Sequence, residues 1–131
     1  MCIRDRTWPG VTKPGSVIKT PVISTDLTAM ALAAAGVATP VDADGKDLRN
    51  LLVNPDAGPL HETLYWRVGK SGALRSGKWK LFRGGPRWEL YDLEADPSEK
   101  RGVSARHQEL TKTLIARWES WSKQQAEPLW R

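Results

Sequence analysis

Apolar and polar residues follow a two-residue rhythm along the middle of the chain and a three- and four-residue rhythm on either side of it. Across residues 61–92, HETLYWRVGKSGALRSGKWKLFRGGPRWELYD, Leu64, Trp66 and Val68 alternate with Thr63, Tyr65 and Arg67. Trp79, Leu81 and Arg83 alternate with Lys78, Lys80 and Phe82, and Trp88 and Leu90 with Glu89 and Tyr91. Alternation with bulky side chains on one face marks a half-buried antiparallel strand. Glycine-rich stretches at Val68–Gly72, Ser76–Gly77 and Gly84–Pro86 punctuate the rhythm. Glycine supplies positive φ there without steric cost, and proline cannot continue a ladder. The pattern predicts a meander of three short strands.

From about Arg106 to Gln125 the spacing becomes helical. Leu110, Leu114, Trp118 and Trp121 form one stripe, Ile115 widens it, and Glu109, Lys112, Arg117, Glu119 and Lys123 hold the opposite face in water. This predicts a helix lying across one face of the meander, ended by Glu127-Pro128 with Trp130 folded back onto the body. Upstream, Ser24-Thr25-Asp26 opens a second helix, by a hydroxyl cap and an acid near the positive dipole end. Gly36 closes it after Ala35, and Leu27, Met30, Ala31 and Ala34 form its expected buried stripe. So apolar a helix needs more cover than the chain supplies, and an exposed apolar face is expected. Pro40–Gly45 reads as a turn, Asp47–Leu52 as a single helical turn, Asn54–Pro59 as a loop and Glu94–Ser98 as an acidic exit loop. Residues 1–6, MCIRDR, carry no period and no cap and read as a non-native, adapter-derived tail.

The 131 residues, 40% hydrophobic and 27% charged, suit one domain-sized unit or a piece of something larger. The longest apolar run, Ala29–Ala38, is far short of the ~20 residues that span a bilayer, so no membrane partner is expected. The net charge of +5 is dispersed. Lys78, Lys80, Arg83 and Arg87 do cluster in the meander, but a solvated outer face accounts for them better than nucleic acid. Seven tryptophans point first to a core and second to a sugar-stacking platform. A single cysteine, Cys2, excludes an internal disulfide.

Several local patterns fail as chemistry. Asp42, Asp44, Gly45 and Asp47 imitate a calcium loop, yet counting from Asp42 the glycine falls fourth and Val53 stands where the bidentate glutamate belongs. Gly69-Lys70-Ser71 imitates a phosphate-binding loop, but Leu64 replaces its first glycine and the segment is a hairpin. The only histidines, His61 and His107, lie in different elements without a cysteine neighbour, which argues against zinc. His61-Glu62 could be an acid/base pair, although adjacent strand residues face opposite ways. No complete active site is visible.

Four stretches in order, WPGVTKPG at 8–15, STDLTAMALAAAGVATPVDADGKDL at 24–48, GALRSGKWKLF at 72–82 and ELYDLEADPSEK at 89–100, resemble the C-terminal end of a sulfatase of the alkaline-phosphatase superfamily, arylsulfatases included. The resemblance covers nearly everything from Trp8 to Trp130. Ala29 stands where the family usually has proline, and the stretch after Glu99 lacks the usual Asn-Leu. The resemblance implies an α+β fold: a small antiparallel meander with a C-terminal helix packed on it, preceded by a helix and loops from a truncated α/β catalytic domain. Residues 7–60 would end that catalytic domain and residues 61–131 would form the C-terminal subdomain. It further implies hydrolysis of sulfate esters by a formylglycine made from Cys or Ser in C/S-x-P-x-R, with a calcium held by Asp and Asn. Both belong upstream of the WPG turn, and Arg4 stands where Cys2 and Arg6 would need a proline between them. No catalytic residue and no metal ligand is therefore expected in this chain, which alone should be inactive. The substrate would be a sulfated carbohydrate or aryl sulfate, and the family setting periplasmic or extracellular. The residues expected beside the substrate are His61, Glu62, Arg67 and Lys70. Two other readings remain open at this level: a phosphodiesterase or phosphonate hydrolase on the same scaffold, and a free-standing basic, Trp-rich module for acidic glycans or nucleic acid.

Overall fold

Gly69-Lys70 and Gly77-Lys78 each reverse the chain in the computed structural model, which describes residues 7–127. In both loops glycine stands first, with φ of 53° and 55°, and lysine second. A two-residue hairpin needs a residue tolerant of positive φ at that place, because the turn must match the right-handed twist of its strands. The hairpins link β1 (Leu64–Val68), β2 (Ser71–Ser76) and β3 (Trp79–Arg83), and a longer loop leads to β4 (Glu89–Asp92). All neighbours are antiparallel, in the order β1-β2-β3-β4. The helix α3 (Gln108–Lys123) follows, while α1 (Ser24–Ala34) and α2 (Arg49–Val53) precede the sheet. The α+β class expected from the sequence is the class observed.

The sheet has four strands where the pattern predicted three. Ser71–Ser76 was hidden because Gly72, Ala73 and two serines leave Leu74 as its only large apolar residue. Its smallness has a cause in the packing. A Cβ built on Gly72 would lie 2.5 Å from Cζ2 of Trp118 on α3, so the strand must be bare for the indole to come down onto it.

The core of this unit is one row of the sheet under one stripe of the helix. Leu74, Leu81 and Leu90 face one another across β2, β3 and β4 and are wholly buried. Leu114 and Trp118 close over them, with Tyr65, Trp79, Trp88, Leu110 and Trp121 around the edge. Each such burial is worth roughly 1.5–3 kcal/mol relative to exposure. The aromatic rings interlock: Trp88 meets Trp118 edge-on at 5.0 Å and Tyr65 stacks on Trp121 at 5.0 Å. In β1 the alternation faces the other way from the expected one. Tyr65 joins the helix side, and Val68 and Trp66 on the opposite side are 76% and 38% exposed.

Polar contacts fasten the margins. Lys78 pairs with Asp92 at 2.8 Å, and Lys80 reaches both oxygens of Glu99 at 2.6 Å. Glu99 is the one described non-glycine residue with positive φ, at 56°. Tyr91, itself buried, donates its hydroxyl to Glu89.

The described residues divide after His61, and the earlier unit is built on loops. There α1 starts at Ser24, and the expected hydroxyl cap is replaced by Asp26, which accepts from the backbone N–H of Ile23 at 2.8 Å. The stripe expected to be buried is also displaced. Asp26 and Ala29 are the buried residues, whereas Ala31 and Ala34 are exposed and Leu27 and Met30 half-buried. Leu48 and Leu51, around α2, supply the other buried apolar groups of this unit. The readings made for residues 1–6 and for Trp130 lie outside the described residues.

Two measurements check this packing. Gly72→Ala should cost about 1–3 kcal/mol, the usual range for overpacking a core, read as a lower denaturant midpoint at unchanged m-value. The hydrogen bond to Glu89, and after it burial, push the Tyr91 hydroxyl from its ordinary range up to about 12. A raised pKa for a neutral acid means the folded state holds the proton more tightly. The contribution is therefore full below about pH 10 and lost as pH rises towards about 12. Tyr91→Phe should flatten that alkaline fall in urea titrations.

Candidate functional site

The residues expected beside a substrate fall along a single extended run, and the structure gives them four different situations. His61 ends the first unit. Its Nε2 donates to Oδ1 of Asp26 at 2.8 Å, and its side chain is only 9% exposed. Asp26 is wholly buried and its carboxylate is filled: Oδ1 also accepts the backbone N–H of Lys46 at 2.8 Å, and Oδ2 that of Ile23. Three ordered donors suffice to hold a carboxylate out of water. Gly45 makes the arrangement possible, since a Cβ there would stand 2.2 Å from the Thr25 carbonyl oxygen. His61 is thus a tie between the end of the unit and the start of α1.

Glu62 opens the second unit with its side chain 86% exposed, 3.5 Å from Arg117 on α3. An exposed pair at that distance contributes little. Arg67 is committed to α3: Nη1 donates to the carbonyl and hydroxyl of Ser122, both at 3.1 Å, and Nη2 to the carbonyl of Ala126. A cation on the last carbonyls of a helix also complements the negative end of its dipole. Lys70 is the second residue of the β1–β2 loop, exposed, with no partner among the described residues.

Within the second unit, Glu62 and Lys70 lie at opposite ends of β1. At about 3.3 Å per strand residue they are on the order of 20 Å apart. They cannot hold one anionic group together. Each could touch a different part of an extended ligand.

Among the described residues, no three His, Cys, Asp or Glu side chains stand close enough to hold a metal ion. No described helix is long and apolar enough to cross a membrane. A groove of about 550 Å³ lies in the first unit between residues 17–21 and 55–59, and none of the four expected residues lines it. Most of the tryptophans serve packing: Trp118 is buried, Trp79, Trp88 and Trp121 lie partly buried against the core, and of those described only Trp66, at 38%, is exposed. Sequence reasoning missed two residues. Asp26 was read as a dipole partner alone, because nothing local shows that His61, 35 residues on, returns to it. Arg83 was read as one of a basic cluster, although its alternation with Trp79 and Leu81 already placed it on the helix side.

The second unit is a small four-stranded antiparallel sheet crossed by one helix, with Lys70 and Glu62 exposed at its rim. Residues 5–124 match the family described as N-sulphoglucosamine sulphohydrolase, C-terminal, and the chain belongs to that family. Solved structures agree. The chain superposes on Ps i-CgsB in complex with a neocarrahexaose with a TM-score of 0.79 at 24% identity, covering 94% of this chain and 29% of that one. A protein crystallised with its substrate D-glucosamine-2-N,6-O-disulfate gives 0.71 at 26% identity, covering 89% and 27%. A Bacteroides thetaiotaomicron protein tied to the metabolism of multiple glycosaminoglycans gives 0.61 at 27%, covering 76% and 24%. The chain therefore spans under a third of the length of these structures. No functionally curated protein matches it.

The Asp26 tie is open to a direct check. Asp26→Ala strips three donors of their acceptor, at about 1–3 kcal/mol for each left buried. It should melt the first unit well below the wild type, whereas His61→Ala, which removes one donor, should cost less. Equal melting of the two variants in thermal unfolding would contradict the arrangement.

Proposed function

We propose that this chain is the C-terminal part of a sulfatase that hydrolyses sulfate esters of a sulfated carbohydrate. The observation that carries the reading is the family match over residues 5–124. The substrate class is supported by the sulfated glucosamine on which one structural relative acts. On this reading residues 7–60 complete a catalytic α/β domain and residues 61–131 form the C-terminal subdomain. The exposed Ala31 and Ala34 of α1 suit a helix that other parts of a larger domain cover.

The nucleophile and metal would lie in another part of the polypeptide. A formylglycine there would supply the attack on sulfur, and a calcium the charge to hold the sulfate. The residues of this chain take no part in those steps. Their work is binding and positioning. Lys70 offers a free ammonium to an anionic sugar, Glu62 offers an acceptor to its hydroxyls, Arg67 holds α3 against β1, and His61 fixes the segment from which the rim departs. The packing of the tryptophans in the core disfavours the free-standing glycan- or nucleic-acid-binding module, which needs several rings open to solvent.

The test is sulfate release from N- and 6-O-sulfated glucosamine by the polypeptide extended upstream of Thr7, with the 131-residue chain alone as the inactive control. Lys70→Ala should raise KM roughly five-fold with little change in kcat, as expected for ~1 kcal/mol of exposed charge pairing. Cleavage of phosphodiesters without any release of sulfate would replace the sulfatase with its phosphohydrolase relatives.

A further inference from the structure

Arg83 Nε is the only buried side-chain nitrogen or oxygen among the described residues that meets no hydrogen-bond partner. The side chain leaves the end of β3 on the helix side, opposite Gly72 in register. Its guanidinium carbon lies 4.6 Å from the centre of the Trp88 ring and 5.2 Å from that of Trp118. Those two rings meet edge-on, so the guanidinium sits in the notch between them. No described carboxylate pairs with it, although Lys78, Lys80, Arg49, Arg117 and Lys112 all have acidic partners. The neighbouring cation on the same face, Arg67 across Gly72, gives its donors to α3. Arg87, in the loop that follows β3, is exposed.

We propose that Arg83 is an oxyanion-binding residue, held by Trp88 and Trp118 so that the outer edge of its guanidinium receives a carboxylate or sulfate group of a ligand. A guanidinium is weakly hydrated, stacks well on aromatic faces and presents a planar fork that matches such oxygens. Held by two rings, it has already lost the rotamer freedom that binding would otherwise remove. As mere filling for the notch, an uncharged side chain would serve without leaving a buried nitrogen unmatched. Recognition of an oxyanion is the role that needs the fork. The site lies at the same end of the sheet as the loop that carries Lys70, and it takes a carboxylate-bearing ligand as readily as a sulfated one.

The experiment uses the 131-residue chain. Sodium sulfate and sodium acetate are titrated at constant ionic strength against sodium chloride, followed by tryptophan fluorescence and by the arginine Nε–H resonances. A saturable change with sulfate, acetate or both, absent with chloride, is expected, and the stronger of the two names the oxyanion. Arg83→Met should abolish it. Arg83→Lys keeps the charge and the stacking stem but loses the fork, and should weaken it roughly ten-fold. Arg87→Ala should change it by less than about three-fold, the range of a surface charge. No saturable change with either anion overturns the proposal, as does undiminished binding by Arg83→Met. Should Arg83→Met fail to fold by circular dichroism, wild-type affinity in Arg83→Lys overturns it equally.

Discussion

The seating of Trp118 on Gly72 is the constraint from which the second unit takes its form. An indole can come that close only where a strand carries no Cβ. Once there, its Nε1 donates to the Trp66 carbonyl on the edge strand β1 at 3.1 Å, which fixes α3 against the sheet by direction as well as by contact. The same ring gives Trp88 and Trp121 a surface and makes one wall of the notch around Arg83. The leucine row beneath could be covered by many apolar helices. The indole and its bare strand select one helix position.

The first unit solves its own problem with a different device. It has few large buried side chains, Leu48 and Leu51 chief among them, so one buried carboxylate joins packing in holding a helix and two loops. Gly45 plays the part that Gly72 plays in the other unit, allowing backbone to pass backbone at the start of α1. A buried acid is costly unless every oxygen is met, and Asp26 is met by two backbone donors and His61. Stability there hangs on polar geometry, and loss of one member leaves the others unmatched.

How much of this the sequence showed follows from which signals are local. The helical stripe of α3 and the glycine turns are local, and the α+β arrangement was legible from them. β2 was not, because its information is negative: small residues that make room for a ring 46 positions later leave no hydrophobic rhythm. The inside of β1 was misjudged for a related reason. Leu64, Trp66 and Val68 look like a core face, and only the register that sets Tyr65 beside Leu74 shows which side meets α3. On α1 an alanine-rich surface offers no contrast, so the packed face was decided by Asp26, a polar residue.

The expected substrate rim shows the limit more sharply. His61, Glu62, Arg67 and Lys70 were expected together because the family resemblance sets the edge and tip of the first hairpin beside a cleft, and these are the polar heads that stand there. A strand spreads such a group out, and local partners then divide it: His61 goes to Asp26, Arg67 to the end of α3 and Glu62, loosely, to Arg117, while Lys70 at the other end meets no partner among the described residues. Charge alone therefore says little about availability. What distinguishes a cation ready for a ligand is the absence of an internal acceptor together with a reason for its fixed position. Lys70 has the first and not the second. Arg67 has the second and not the first. Arg83, clamped by two rings and without a partner among the described residues, has both, and for that reason the aromatic notch at the end of β3 is where recognition of an anion by this fold is best prepared.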